Sequence, residues 1–567
     1  MPTDAATPRQ VADRYVDELV VLDPIVATGL GVPTGQDRWP DYSPAGIDQR
    51  AHLLRETLRA LDEAEAVAGG REALDDLERR CATLLRERLE AQLAVSDAGE
   101  PLRQLDTMSS PPHAMRQAFT LMPTATDEDW SNVAARLEAF PAALEGYRRT
   151  LEAGRDRGSL AGPRQVSAVV DQLAGWGADG GWFSSFAAAG PEALRDRLTS
   201  AAAGADAAVA ELRTWLADVY APAAVPGPDA AGRDRYALWA RAWAGADLDL
   251  DEAYAWAWTE FARIDAEIRA EAEKVLPGAS PAEAMHHLDE QGPAIEGVDA
   301  VRTHLQRLMD EAIEALDGVH FDLAEPVRRV ESMIAPAGTA AAPYYTRPAQ
   351  DFSRPGRTWL PTMGRERFPL WDLVSTWYHE GVPGHHLQLA QWVYVAPQLS
   401  RYQTGVGSVS ANVEGWALYA ERLMDELGFL TDAAARIGYL DAQRMRAVRV
   451  IIDIGMHLQL EIPTVQGVPE PFHPGERWTP ELARAFFGAN SGRPADFLDS
   501  EIVRYLGWPG QAIGYKLGER AWLAGRDAAR RAHEARGETF DLKAWHMAAL
   551  SQGALGLDDL VAELSQL

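Results

Sequence analysis

Apolar side chains recur at helical spacing through most of this chain, and this periodicity restricts its fold more than any other feature. Apolar positions three and four residues apart, in an Ala- and Leu-rich background, occupy the stretches 50–95, 131–155, 191–220, 248–276, 301–317, 410–428, 433–460 and 511–536. Strand signals are scarce, and the clearest runs from Arg357 to Pro361. The sequence therefore predicts a mainly α-helical fold with a small β element.

Stretches rich in Pro, Gly and Asp separate the helical segments. This composition predicts loops at 22–48, 97–127, 221–233 and 463–478. Helix starts are predicted at Ser280-Pro281 and at Thr479-Pro480, where an N-cap residue precedes a proline at the first helical position. We expect residues 1–567 to form one domain of two helical lobes, with the lobe boundary near 221–233.

The charge and the cysteine usage exclude several classes of partner and site. The chain has 84 acidic and 54 basic residues and a formal net charge of −30. Such a surface repels phosphate backbones and anionic bilayers, so we expect neither nucleic acid nor membrane as a partner. Cys81 is the one cysteine, so an internal disulfide and a Cys-rich metal site are excluded. The absence of a signal-peptide pattern and of a long apolar run predicts a cytoplasmic location.

Three of the thirteen histidines lie close together, in the segment HEGVPGHH at 379–386. Two imidazoles can hold a zinc ion, and the carboxylate of Glu380 could activate the attacking water. In the HExxH motif of zinc peptidases the histidines lie four residues apart on one helical face. Here His385 and His386 follow His379 by six and seven residues. On an unbroken helix, six residues would place His379 and His385 on different faces. Seven residues would place His379 and His386 on the same face but about 10.5 Å apart along the axis, and neither arrangement allows a shared zinc ion.

Pro383 and Gly384 supply an interruption between these histidines. Proline lacks an amide hydrogen and clashes with the preceding helical turn, and it also pushes Val382 out of the α region. Glycine adds backbone freedom at the next position. We therefore expect one helix to end at Glu380, a bulge to follow, and the next helix to begin at His385. A chance cluster of histidines at a helix break is the alternative.

A third metal ligand is expected because a catalytic zinc usually has three protein ligands and one open position. The segment 410–428 predicts a buried helix that carries Glu414 and Glu421, seven residues apart on one face. Since a buried carboxylate is normally paired or bound to metal, Glu414 is the predicted ligand and Glu421 is predicted to orient a histidine. A salt bridge to an arginine is the alternative for each. The choice between His385 and His386 as the second histidine ligand stays open.

The segments HEGVPGHHLQ and VEGWALYAE resemble the domain-of-unknown-function family 885, as do APYYTRPAQDFSRPGRTW before them and RYLGWPGQAIGYKLG after them. The resemblance is clearest over about 340–520, the expected core of the metal site. That family is grouped with gluzincin-type helical metallopeptidases, which include angiotensin-converting-enzyme-like and thimet-oligopeptidase-like proteins. The resemblance implies a single catalytic domain with a large two-lobed helical fold and a deep central cleft. It also implies zinc on His379, His385 and Glu414, with Glu380 as general base.

Further candidates come from the segments around this motif. A peptidase needs a hydrogen-bond donor for the oxyanion of the tetrahedral intermediate, and Tyr515 or His457 could provide it. His457 follows Asp453 by four residues, which suits an imidazole oriented by a carboxylate. The candidates for binding the substrate or its terminal carboxylate are Lys516, Gln511, Tyr345 and Arg354. Purely structural roles are the alternatives for all of them.

Together these residues predict zinc-dependent hydrolysis of peptide bonds in short peptides. The resemblance implies carboxypeptidase- or dipeptidase-like action. One alternative is a metal-dependent hydrolase of a non-peptide amide or ester, and another is a non-catalytic helical metal-binding protein. The ligand set would also hold manganese or cobalt.

Overall fold

The structure is a computed structural model that describes residues 6–336, 342–468 and 471–567. The chain divides into two units, the first formed by Met1–Ala242 with Ser500–Pro509 and the second by Trp243–Asp499 with Gly510–Leu567. The segment 221–233 lies inside the first unit. The mainly helical fold class is confirmed. None of the helices in the described ranges has the length and apolar character needed to cross a bilayer.

The first unit is built from helices α1 to α11, of which the last runs across the boundary into the second unit. Their bounds are α1 Pro8–Leu22, α2 Pro24–Gly29, α3 Pro44–Val67, α4 Asp76–Asp97, α5 Pro111–Leu121, α6 Asp127–Asp156, α7 Pro163–Trp176, α8 Trp182–Ala187, α9 Arg195–Trp215, α10 Ala221–Ala224 and α11 Arg233–Ala244. Helices α6 and α9 pack along each other. Aromatic rings fill the core between the helices, and the centroids of Phe140 and Phe183 lie 4.6 Å apart.

The helical stretches predicted for this unit are helical, but the boundaries between helices and loops differ from the prediction in detail. The stretch 50–95 is two helices, because Gly69 and Gly70 take φ values of 94° and 106° that end α3. The predicted loop 97–127 contains the helix α5, which begins at a proline and buries one face in the core. The one cysteine, Cys81, is buried in α4 and packs as a free thiol.

The second unit holds the remaining helices and all the strands that the described residues contain. The helices are α12 Leu250–Val275, α13 Pro281–Gln291, α14 Val298–Leu316, α15 Leu373–Glu380, α16 His385–Tyr394, α17 Arg401–Thr404, α18 Ser410–Glu426, α19 Ala433–Leu458, α20 Pro480–Ala489, α21 Ala495–Gly507, α22 Gly514–Arg536, α23 Leu542–Leu550 and α24 Leu557–Leu564. Most of α21 belongs to the first unit. The predicted starts at Pro281 and Pro480 are confirmed, with Ser280 and Thr479 as side-chain caps.

The β structure consists of two small sheets rather than one. Strands β1 (Ala294–Glu296) and β5 (Arg367–Pro369) pair antiparallel. In the other sheet, β4 (Gly356–Leu360) lies between β2 (Val330–Ile334), which is parallel to it, and β3 (Tyr344–Thr346), which is antiparallel. The strand predicted at 357–361 is therefore confirmed as β4.

Two close helix pairs form the frame of the second unit. Helix α12 packs along α19, and α18 packs along α22. Small residues let α18 and α22 approach each other closely: a Cβ atom added at Gly518 would overlap the carbonyl oxygen of Ala411, and one added at Gly415 would overlap the backbone of Gly518. The short helix α15 contacts both α18 and α19, and α16 contacts α18. This frame places the HEGVPGHH segment against the helix that carries Glu414.

Candidate metal centre

The predicted interruption between the histidines is confirmed. Helix α15 ends at Glu380 and α16 begins at His385, with a cis peptide bond between Val382 and Pro383. The chain doubles back tightly here, because the amide of Gly384 donates to the carbonyl of Tyr378 at 3.0 Å. A Cβ atom at Gly384 would overlap the carbonyl oxygens of the preceding helix, so this position requires glycine.

Trp416 connects this bulge to α18. Its indole nitrogen donates to the carbonyls of Pro383 at 2.9 Å and Gly384 at 3.1 Å, and its ring is fully buried. Glu414 lies two residues earlier on the same helix. The indole therefore sets the position of α18 against the bulge, and with it the position of Glu414 relative to the histidines.

Three ligand-type side chains converge at this point. The Nε2 atoms of His379 and His385 each lie 3.5 Å from Oε2 of Glu414, and the three donor atoms all fall within 4.8 Å of one another. Three donors at about 2.0–2.2 Å from a tetrahedral zinc ion are separated by roughly 3.3–3.6 Å. The spacing and chemistry of this set therefore fit a zinc ion.

Glu421 supports this group from behind. Its Oε1 lies 2.7 Å from Nδ1 of His379, and its Oε2 accepts from the Ser375 hydroxyl at 2.6 Å. The carboxylate is only 1% exposed. When Nδ1 carries the proton and donates it in a hydrogen bond to Glu421, the lone pair of His379 Nε2 is available to a metal ion on the side where Glu414 lies. This hydrogen bond is the contact that the predicted orienting role of Glu421 requires.

The electrostatics of the group reflect its burial and its charges. Burial lowers the pKa of His379, but the hydrogen bonds with Glu414 and Glu421 outweigh it and raise that pKa to about 9. Burial opposes ionisation of Glu414, yet the two histidines hold its pKa well below the usual range. In the absence of a metal ion, a proton on His379 therefore balances part of the carboxylate charge, and a cation would replace it.

His386 lies outside this group of donors. Its Nδ1 is 3.0 Å from the hydroxyl of Tyr345, and its Nε2 is 2.7 Å from the carbonyl oxygen of Val327. Nε2 therefore donates to the carbonyl, and Nδ1 accepts from the hydroxyl. Burial lowers the pKa of His386 to about 4, so the ring stays neutral. Because both ring nitrogens have protein partners, the structure favours His385 as the second ligand.

Glu380 lies next to the three donors without joining them. Its side chain is 8% exposed, and no described residue forms a hydrogen bond with its carboxylate. Burial raises its pKa, and the neighbouring histidines only partly offset this rise. A carboxylate with a raised pKa and free acceptor oxygens can take a proton from water and release it again.

The contacts of Lys516 argue against its predicted role. This side chain is fully buried, and its ammonium group bonds to Gln443 and Glu519 and lies 3.0 Å from Glu260. Three protein acceptors thus engage its three donors, which leaves none for a substrate carboxylate. Sequence reasoning erred here because Lys516 follows a loop, and a lysine at such a position is usually exposed.

His457 and Tyr515, the two predicted oxyanion donors, lie in different surroundings. His457 Nε2 is 3.8 Å from Oδ1 of Asp453, and neither side chain is exposed to solvent. This enclosure favours the structural role for the pair. The side chain of Tyr515 is partly exposed, and its ring packs against the guanidinium groups of Arg446 and Arg449 at 6.0 Å and 4.9 Å. Tyr515 therefore remains the better candidate.

The other predicted substrate residues surround the motif in different ways. Tyr345, on β3, bonds to His386 and so supports the motif directly. The guanidinium of Arg354 donates to the carbonyl of Pro355 in the turn before β4. Gln511 is buried just before α22. Substrate contact by these three side chains stays a prediction.

Sequence reasoning missed two residues of the site, Ser375 and Arg446. Ser375 lies four residues before His379, on the same face of α15, so helical spacing could have identified it. Arg446 belongs to a row of polar residues on α19, spaced three or four apart in an otherwise apolar segment: Arg446, Arg449, Asp453 and His457. A polar row on a buried helix is a signal for a functional face.

Comparison with known proteins identifies the family. The family described as bacterial protein of unknown function (DUF885) matches residues 24–564, and the chain therefore belongs to it. A solved structure from Colwellia psychrerythraea, described as a "putative lipoprotein", is similar with a TM-score of 0.78 and 21% identity, over 99% of this chain and 98% of that chain. A second, from Shewanella oneidensis, is described as a "putative lipoprotein of unknown function" and has a TM-score of 0.73 and 18% identity, over 99% and 100%. At these identities the likeness shows the fold alone. No curated protein matches this chain.

Proposed function

We propose that this member of the DUF885 family is a zinc-dependent peptidase that hydrolyses short peptides, with carboxypeptidase- or dipeptidase-like action. The link to the gluzincin-type peptidases is part of the proposal. The observation that carries it is the convergence of His379, His385 and Glu414, each through one donor atom, beside the unpaired carboxylate of Glu380.

The donor set supports a catalytic rather than a structural metal. Structural zinc sites usually close the metal with four protein ligands, whereas catalytic sites use three and keep one position open. The described residues supply three donors of the His₂Glu type. Glu414 and His385 also keep some exposed surface, 22% and 10% of their side chains, so a small ligand can reach them.

Each residue of the site would have a separate role in the reaction. Zinc, when bound there, supplies a Lewis acid that polarises the peptide carbonyl and acidifies water. Glu380 takes the proton of the attacking water and passes it to the leaving amine, for which its raised pKa suits it. Glu421 keeps His379 in the ligating tautomer, and Tyr515 donates a hydrogen bond to the oxyanion.

The first experiment compares wild type with Glu380→Gln on a mixture of defined short peptides, read by mass spectrometry. Both proteins are loaded with zinc, and their metal content is measured. We expect wild type to remove residues or dipeptides from the C-terminus and the variant to lose at least about 100-fold in rate, the usual share of a general base. Glu426→Gln, a change on α18 that affects a pair with Arg526, is the matched control and should retain full activity.

Two outcomes would overturn this proposal. Full activity in Glu380→Gln would remove that residue from the mechanism. Zinc-loaded wild type that cleaves no peptide would exclude a peptidase, and a panel of non-peptide amides and esters would then test the alternative substrates. Fractionation of native cells tests the predicted cytoplasmic location against the location of lipoproteins.

A further inference from the structure

Arg446 is a partly buried arginine whose hydrogen-bond donors have no acceptor in the described part of the chain. Its side chain is 13% exposed. Its nearest carboxylate oxygen, Oε1 of Glu421, lies 3.7 Å from Nη2, which is too long for a hydrogen bond. The Nε atom is enclosed and has no acceptor, and no described residue accepts from the terminal nitrogens. An enclosed arginine Nε without an acceptor is unusual, because buried donors are normally hydrogen-bonded.

The position of Arg446 connects it to the metal centre. Glu421, its neighbour, holds His379. The ring of Tyr515 lies 6.0 Å from the guanidinium carbon. The guanidinium group therefore lies near both the carboxylate that holds a proposed zinc ligand and the ring of the proposed oxyanion donor.

The charge of this face is unusual for the chain. The protein as a whole carries a formal charge of −30, yet α19 presents Arg446 and Arg449 one turn apart, both near the Tyr515 ring. Arg449 is buried as well. A planar guanidinium with free donors matches the paired oxygens of a carboxylate or a phosphate, and of these a peptide substrate supplies the carboxylate. Lys516 does not compete for this role, because its donors are engaged by protein acceptors.

We infer that Arg446 binds the free terminal carboxylate of the substrate and so restricts the enzyme to cleavage near the C-terminus of peptides. This inference rests on the proposed function and assigns to Arg446 the role that the sequence suggested for Lys516. A peptide carboxylate would satisfy donors that otherwise remain unpaired in the protein. A peptide amide, which carries no charge, would leave most of that desolvation uncompensated.

Binding of matched probes to an inactive protein tests the inference without any turnover. The probes are N-acetyl-Ala-Phe and its C-terminal amide, titrated by calorimetry into zinc-loaded Glu380→Gln. We expect the acid to bind at least about tenfold more tightly than the amide, as a charged hydrogen bond predicts. When Arg446→Gln is introduced into the Glu380→Gln protein, the affinity for the acid should fall to that for the amide. The affinity for the amide should stay unchanged. Arg446→Lys, which keeps the charge but not the planar fork, should retain part of the preference.

Control variants distinguish substrate binding by Arg446 from a purely structural role in which Arg446 supports Glu421. Arg436→Gln, on the same helix and paired with Asp425, should keep the full preference for the acid. If Arg446 only supports Glu421, its replacement would weaken zinc binding and affect both probes equally, which would overturn the inference. Equal binding of acid and amide to the starting protein, or no binding of the acid, would overturn it too. Because these titrations need no cleavage, an inactive wild type would refute the peptidase proposal and leave this test valid.

Discussion

Removal of the Glu421 side chain is the sharpest test of the metal centre, because Glu421 supports a ligand without being one. It accepts hydrogen bonds from Ser375 at 2.6 Å and from His379 Nδ1 at 2.7 Å, and it is almost completely buried. In Glu421→Ala the His379 ring loses the partner that fixes its tautomer and its orientation. The three metal donors themselves stay in place.

The size of the effect follows from these contacts. Loss of the partner of a ligating histidine typically weakens metal binding by about 10–100-fold. That range corresponds to about 1.4–2.8 kcal/mol of binding free energy. We expect the upper part of the range, because Arg446 at 3.7 Å would lose its nearest carboxylate and its charge would then repel the incoming cation. Glu421→Gln keeps an acceptor for His379, so its loss should be smaller.

The assay is competition between the protein and a chromophoric zinc chelator at constant pH and ionic strength. Glu426→Ala serves as the matched control, because Glu426 lies on the same helix but is 41% exposed and pairs with Arg526. Circular dichroism and thermal melting in chelator verify that each variant is folded. Wild-type zinc affinity in folded Glu421→Ala would refute the assignment of His379 as a ligand oriented by Glu421.

Two further predictions concern the bulge and the choice of histidine. His385→Ala should reduce zinc affinity by at least about 100-fold, because it removes a ligand. His386→Ala should bind zinc within about tenfold of the wild-type affinity, because that ring bonds only to protein groups. The opposite ranking in the same chelator competition would exchange the roles of the two histidines. Gly384→Ala should lower the free energy of unfolding by about 1–3 kcal/mol, because the added methyl group would overlap the carbonyls of α15. Its control is Gly204→Ala, in the open middle of α9, which should be neutral or stabilise by up to about 1 kcal/mol. Equal urea-denaturation midpoints for Gly384→Ala and wild type would show that the tight bulge is not required.

Local chemistry in the sequence determined the helical class and the break inside the metal motif. A proline and the glycine after it act on the few residues around them, so the end of α15 at Glu380 and the start of α16 at His385 could be predicted without knowing any distant contact. The helical spacing of Glu414 and Glu421 was equally readable, because burial of one helix face leaves a periodic pattern. The prediction of a loop at 97–127 was wrong because two prolines there begin a helix instead of ending one.

Tertiary structure alone decided which of two adjacent histidines faces His379 and Glu414. It also decided which basic side chain keeps hydrogen-bond donors without a protein acceptor. His386 is held by Tyr345 and Val327, from segments 41 and 59 residues away in sequence, and no local pattern reports such contacts. Lys516 was predicted to bind a substrate carboxylate, but it is enclosed by Glu260 and Gln443 from other helices and by Glu519 from its own. No local pattern distinguished Arg446, whose donors have no acceptor among the described residues. The physical reason is that a side chain's hydrogen-bond partners depend on how distant elements pack, whereas its helix or turn depends mainly on its neighbours in the chain.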